Sequence, residues 1–292
     1  MNEIKITSVR EHPGDSAFLI DDGKTAIMYD SGFAFTGYKV ADRIKSILGE
    51  RSLDYIFLTH SHYDHALGSV YALKYWPDAK VVAGEYAAKI FAKPTAKALM
   101  RELDGKFANT CGIEQYEDLI DNLKVDIPVA DGDKIKAGDM EFTALSLPGH
   151  TKCSVGFYCE NHKLLLGCES IGVYNGKDDV FPSYLVGYQM SLDSIDRVMA
   201  LDIENVLVPH YGLIGKEETK FYLKKAKESA ESTADMIVKM LGSGTSKDEI
   251  AQAIKDKFYH GYIKEIYPID AMNLNVGITI DLIERELIDD NK

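Results

Sequence analysis

The sequence predicts an α+β chain: two sheets packed face to face with helices outside, followed by a helical tail. Three observations lead there. Short apolar runs of strand length come in two batches, each followed by stretches of helical period. Turn signals, Asp21-Asp22-Gly23 and Glu160-Asn161-His162, join neighbouring runs as hairpins. After Gly215 the strand-like runs cease and long helical patterns take over.

In chain order, strands are expected over residues 3–9, 17–21, 25–29, 53–59 and 80–83, then over 141–146, 155–159, 163–167 and 205–209. The first alternates in polarity, and residues 53–58 form the apolar run of a buried strand. Helices are expected over 38–48, 66–74, 86–103 and 192–201, the third broken near Pro94. Beyond residue 215 one long helix is expected over 216–241. A break at residues 243–246 follows, then a second helix opened by the capping box Ser246-Lys247-Asp248-Glu249 and ending at Phe258, and a third over 270–288. This divides the chain into residues 1–215, the domain expected to carry the chemistry, and a helical extension, 216–292.

The apolar run at 53–58 delivers Thr59-His60-Ser61-His62-Tyr63-Asp64-His65. Gly68 and a helix-like stretch follow, so the cluster sits on a strand-to-helix turn. In such a turn His60 and His62 can point one way while Asp64 and His65 point to a neighbouring spot. Imidazole nitrogens and carboxylate oxygens are ligands of zinc and similar divalent metals. Two pairs at this spacing suit two adjacent metals better than one.

His-x-His-x-Asp-His after an apolar strand resembles the signature of the metallo-β-lactamase-fold hydrolases, and three further stretches resemble other landmarks of that superfamily. Residues 27–32 end a strand in Asp30-Ser31-Gly32, where the resemblance makes Asp30 a brace of the metal site rather than a ligand. Leu147-Pro148-Gly149-His150-Thr151 is similar to the family's Pro-Gly-His-Thr, which implies His150 as third ligand beside His60 and His62. Pro209-His210-Tyr211-Gly212 is similar to the last family histidine, which implies His210 beside Asp64 and His65. The resemblance implies an αββα four-layer sandwich, the metallo-β-lactamase fold. It also implies two divalent metal ions, zinc first, with iron or manganese as alternatives.

One landmark departs from the family. Where a strand usually ends in Gly-Asp, with an aspartate bridging the metals, this chain has Gly167-Cys168-Glu169. A bridging ligand shared between such cations suits a carboxylate, so Glu169 is preferred, one position on and one methylene longer. A Cys168 thiolate is the alternative, as zinc ligand or simply as a small buried side chain.

The 292 residues carry a net charge of −13, which disfavours nucleic acid and long polyanions as partners. No run approaches the roughly 20 apolar residues of a membrane span. No signal-peptide pattern opens the chain, and the four cysteines form no CxxC pair. A reduced, cytoplasmic protein is expected, with a small-molecule substrate and no membrane partner; a homodimer is left open.

The expected chemistry is hydrolysis by a hydroxide held between two metals, with Asp64 both ligand and proton acceptor. A small thioester is the first expectation, because the helical extension resembles those of thioesterase-like and glyoxalase-II-like members. A lactonase or phosphodiesterase on the same metals, a di-iron redox protein and a metal-bearing regulatory protein are the alternatives. Removing residues 243–292 is expected to impair thioester turnover more than metal binding. Tyr63, Tyr184 and Tyr211 are expected at the substrate, Tyr63 and Tyr211 because they adjoin ligands. The loop 173–189, with Tyr174, Phe181, Tyr184 and Tyr188, is read either as substrate-facing or as a surface loop pinned by buried aromatics. Tyr259, His260, Tyr262 and Tyr267 either wall the pocket or pack the core. Lys220, Lys224 and Lys227 share a helix face, which reads as surface ion pairs before a phosphate site.

Overall fold

The computed structural model describes residues 4–289 and divides the chain into two compact units. The first holds the chain up to Ser146 together with Cys153–Gly167. Strands β1 (Lys5–Ser8), β2 (Phe18–Asp21) and β3 (Ala26–Tyr29) are antiparallel neighbours. The turn between β2 and β3 is the expected one: Asp21 and Asp22 carboxylates accept the N–H groups of Gly23, Lys24 and Thr25.

After β3 the sheet turns parallel, through β4 (Tyr55–Leu58), β5 (Lys80–Gly84) and β6 (Ile127–Val129). Parallel neighbours require crossovers, supplied by α1 (Gly37–Leu48), by α2 (Tyr63–Ala66) with α3 (Ser69–Tyr75), and by α4 (Glu85–Phe91) with α5 (Pro94–Thr110). In α1 the residues Val40, Ala41, Ile44 and Leu48 recur at helical spacing and are buried. They join one cluster with Met28, Ile56 and Val81 of the sheet, Ala41 excepted. The other sheet face carries Phe57, whose ring meets Phe142 and Phe157 at 5.3 and 4.7 Å. Those phenylalanines belong to the antiparallel meander β7 (Lys134–Ala137), β8 (Met140–Ser146), β9 (Val155–Cys159) and β10 (Leu164–Leu166). Each such ring, fully buried, contributes about 1.5–3 kcal/mol.

The second unit holds Leu147–Lys152 and the chain from Cys168 onward. It contains the hairpins β11 (Val173–Tyr174) with β12 (Val180–Phe181) and β13 (Asn205–Val208) with β14 (Gly212–Ile214). Its helices are α6 (Tyr188–Met199), α7 (Lys216–Gly242), α8 (Lys247–Phe258), α9 (Gly261–Ile266) and α10 (Ile269–Ile283). The capping box forms as expected: Ser246 Oγ accepts from Glu249 N–H, and the Glu249 carboxylate accepts from Ser246 N–H.

Several expectations change. The helix expected over 86–103 is two helices, with Pro94 opening the second at a position where its missing N–H costs nothing. The stretch 66–74 likewise begins with the separate turn α2 and resumes at Ser69. Strands β6, β7, β11, β12 and β14 and helix α9 were not expected from the sequence. The units do not part at residue 215, because α7 packs with α6 and β12 inside the second unit. In the loop 173–189, Tyr174, Phe181 and Tyr184 are 1–3% exposed, so buried aromatics pin it. On α7, Lys224 pairs with Glu228 at 3.4 Å and Lys227 with Asp196 at 2.6 Å, as surface ion pairs. Glu3, expected to open the first strand, and the last three residues of the 216–292 extension lie outside the described residues.

Candidate metal centre

In the first unit β3 and β4 are parallel neighbours with Tyr29 opposite Phe57, so their carboxyl ends open on one edge. Asp30 follows β3, and Thr59 and His60 follow β4. Asp30 adopts a left-handed φ of 48°. Asp30 is fully buried and accepts from Thr59 N–H at 2.9 Å, Thr59 Oγ1 at 3.0 Å, Ser16 Oγ at 2.8 Å and His65 Nδ1 at 2.8 Å. Thr59 Oγ1 in turn lies 2.9 Å from His60 Nδ1. One carboxylate thus orients two imidazoles, His65 directly and His60 through a hydroxyl.

The cluster itself is compact. The His60 ring lies 4.5 Å from that of His62 and 4.0 Å from that of His65. Asp64 Oδ2 lies 3.6 Å from His65 Nε2. Gly68 lets the turn close: a Cβ there would stand 1.8 Å from the Ser31 carbonyl oxygen.

The second unit carries the other expected ligands. His150 Nδ1 lies 2.8 Å from the Ser183 carbonyl oxygen, and His150 N–H donates to Ser170 Oγ. Its Nε2 is 2.9 Å from Glu169 Oε2. The other carboxylate oxygen, Oε1, is 3.6 Å from His210 Nε2. Glu169 therefore spans two imidazoles, one oxygen to each. His210 holds a left-handed φ of 62°, a strained conformation of the kind that collects at functional sites. Cys168 is fully buried, with Sγ 3.9 Å from the Leu147 carbonyl oxygen. Of the two adjacent candidates, Glu169 is the one that faces the histidines.

These donors fit divalent cations. His65 Nδ1 faces a carboxylate and His150 Nδ1 a carbonyl oxygen, so both rings are assigned a proton on Nδ1 and a lone pair on Nε2. His150 Nε2 and Glu169 Oε2 are then two lone-pair donors facing each other, an arrangement that a cation between them reconciles. Ligand atoms about 2.0–2.2 Å from one cation lie roughly 2.9–3.6 Å apart, which matches the two spacings around Glu169.

Sequence reasoning missed several groups. Ser16 reaches Asp30, and Ser183 reaches His150, from loops with no local signal. Tyr267 donates its hydroxyl to Glu169 Oε1, and Tyr262 donates to the His210 carbonyl oxygen at 2.5 Å. Both belong to the tyrosine cluster noted in the sequence, which gave no hint of which residues they touch. Tyr63 is half-buried, its ring 5.6 Å from Phe33. Tyr211 is half-buried between the rings of Tyr174 and Tyr262. Tyr184 departs from its expected role at the substrate. It is 1% exposed, its hydroxyl points to the Ala230 carbonyl oxygen, and burial pushes its phenol well up.

The family model described as the metallo-beta-lactamase superfamily matches residues 14–210. The chain belongs to that superfamily. Over 145 residues this superfamily member is 29% identical to glyoxylase B2 of Dictyostelium discoideum, covering 49% of this chain and 45% of that protein. Over 166 residues it is 25% identical to acyl-coenzyme A thioesterase MBLAC2 of Gallus gallus, covering 54% and 57%. The chain thus spans about half the length of these curated relatives. Its fold is similar to that of the metallo-beta-lactamase family protein TTHA1429 from Thermus thermophilus. That similarity has a TM-score of 0.61 and 18% identity, over 97% of this chain and 93% of that one. The archaeal superfamily protein ST1585 from Sulfolobus tokodaii gives 0.57 and 22%, over 77% and 86%. These neighbours bear out the expected fold class, including a helical C-terminal region. Among the described residues no helix is long and apolar enough to cross a membrane.

Proposed function

We propose that this chain is a metal-dependent hydrolase. The proposed ligands are His60, His62, Asp64 and His65 in the first unit and His150, Glu169 and His210 in the second. The observation that carries the reading is the Glu169 carboxylate, with one oxygen toward His150 and the other toward His210. Imidazoles and carboxylates in these numbers suit zinc first, then iron or manganese. A bound metal pair supplies a water-derived nucleophile near neutral pH and polarises a carbonyl.

The protein's own residues do the rest. Asp30 holds His65 and His60 in the tautomers that ligation needs. The Asp64 carboxylate takes up the proton released when the nucleophile forms. Tyr63 and Tyr211 are proposed to meet the substrate. A small thioester is the proposed substrate, because a thiolate leaves readily and needs little general acid. The name of the thioesterase MBLAC2 supports this class. The net charge of −13 disfavours long polyanions.

The test is elemental analysis of untagged protein together with kcat/KM on thioesters, lactones and aryl phosphodiesters. Metal near two equivalents is expected, with thioesters cleaved fastest. Asp64→Asn is expected to keep the fold and lose nearly all turnover. A phosphodiester cleaved roughly two orders of magnitude faster than every thioester would overturn the substrate class. Bound metal with no turnover on the whole panel would instead make the chain a regulatory member.

A further inference from the structure

The hydrolytic reading leaves Tyr259, Tyr262 and Tyr267 without a task, although their hydroxyls converge on ligand-bearing segments. Tyr259 donates to the Tyr267 carbonyl oxygen at 3.0 Å, fixing that residue's backbone. The Tyr267 ring is 7% exposed, packed edge-on to Phe181 at 6.1 Å and tilted against His210 at 5.8 Å. Its hydroxyl meets Glu169 Oε1, the oxygen on the His210 side.

We infer that Tyr267 is the positioning residue of the Glu169 carboxylate, holding Oε1 toward His210 so that Oε2 stays on His150. The inference rests on the metal-centre reading above. The need for it follows from the departure seen in the sequence. Glutamate has one more rotatable bond than the aspartate usual at this place. An unrestrained carboxylate at the end of that extra bond can turn both oxygens toward one ring. A phenol supplies a single donor, and a carboxylate oxygen has two lone pairs. Oε1 can therefore accept from Tyr267 and still offer a lone pair to a cation. A bond from a neutral donor to an ionised acceptor is among the stronger and more directional ones. The ring is itself held by Phe181 and by the Tyr259 bond to its backbone, so the hydroxyl has little freedom to follow a wandering carboxylate.

The rival account makes Tyr267 a packing ring only. Tyr267→Phe separates the two, since it keeps the ring and removes the donor. The metal-free wild type, Y267F, E169D and the E169D/Y267F double variant are titrated with zinc against a chromophoric chelator. Visible spectra of the cobalt-loaded forms and thermal unfolding of the metal-free forms are recorded alongside. Y267F is expected to weaken the weaker-bound equivalent roughly 10–100-fold, to alter the cobalt spectrum and to unfold at nearly the wild-type temperature. E169D, whose shorter carboxylate recedes from the phenol, is expected to weaken the same equivalent by an independent route. In that background adding Y267F is expected to change affinity by less than about 3-fold. Equal affinities and spectra for wild type and Y267F would overturn the inference alone. So would the same loss from Y267F in both backgrounds. A wild type that takes up less than one equivalent would overturn the metal-centre reading itself, and the inference with it.

Discussion

Cys168 and Glu169 are neighbours in sequence, yet they meet different surroundings. Cys168 is the last extended residue before a one-turn 3-10 segment, Glu169–Ile171. Its thiol stays near the Leu147 carbonyl, while the next side chain reaches His150 and His210. A one-residue offset at the mouth of an irregular turn reverses which side chain faces a site. The sequence could therefore nominate both residues and rank them only by ligand chemistry. Asp30, His60 and His210 were legible for the opposite reason: each comes one or two positions past a short apolar strand whose end fixes where the next side chain goes. The contacts of Ser16, Ser183 and Tyr267 were not legible, since these residues arrive from loops far away in sequence. The geometry predicts that Glu169→Ala lowers metal content toward one equivalent. Cys168→Ala should keep it and cost on the order of 1 kcal/mol of stability. Elemental analysis and thermal unfolding of the two variants check this, and the reverse ranking of metal loss would hand the ligand role to the thiol.

At the scale of elements, the longer strands with a clear local pattern were legible and several shorter ones were not. β4 reads Tyr-Ile-Phe-Leu and was plain, whereas β6 carries a proline and β7 alternates lysine with Ile135 and Ala137. Their strand character comes from pairing with neighbours, which a local pattern does not record. The link between β3 and α1 is likewise held from outside. Asp15 accepts from Phe33 N–H and Thr36 Oγ1, and a Cβ at Gly32 would stand 2.4 Å from its Oδ1. Asp104 on α5 accepts from Ala34 N–H at 2.9 Å and from the Tyr116 hydroxyl at 2.5 Å. Burial raises the Asp104 carboxyl to about 6 from the ordinary 3.8, against the lowering effect of those two donors. A carboxyl raised in the folded state binds its proton more tightly there than in the unfolded chain. Its ionisation therefore destabilises the fold as pH rises through the window from about 4 to about 6, and the penalty is relieved below that window. The difference amounts to on the order of 3 kcal/mol. Asp104→Asn removes the ionisation, so the stability of wild type relative to this variant should fall between pH 4 and pH 6. Denaturant unfolding of both proteins at a series of pH values measures it, and parallel curves across the window would refute the assignment.

At the scale of the whole chain, the change of character at Gly215 is real as a change of secondary structure. It does not mark a boundary between compact units, because α7 begins there and packs inside the unit that also holds His150, Glu169 and His210. The sequence shows where strands stop. It does not show what the later helices are built against. That difference argues against one expectation, that removing residues 243–292 would impair thioester turnover more than metal binding. The deleted segment contributes Ile250, Ile254, Phe258, Ile263, Ile266 and Tyr267, all buried. At about 1.5–3 kcal/mol for each fully buried large side chain, their loss is comparable to the whole stability of a typical domain, about 5–15 kcal/mol. The deletion also removes the Tyr267 hydroxyl from Glu169 and the Tyr262 hydroxyl from the His210 carbonyl. A chain ending at Gly242 should therefore lose metal and cooperative unfolding together, not turnover alone. Metal content, thermal unfolding and thioester turnover of the shortened and full chains decide the matter. A shortened chain that keeps its full metal complement and its unfolding transition while losing turnover would restore the view of the helices as a separable cover.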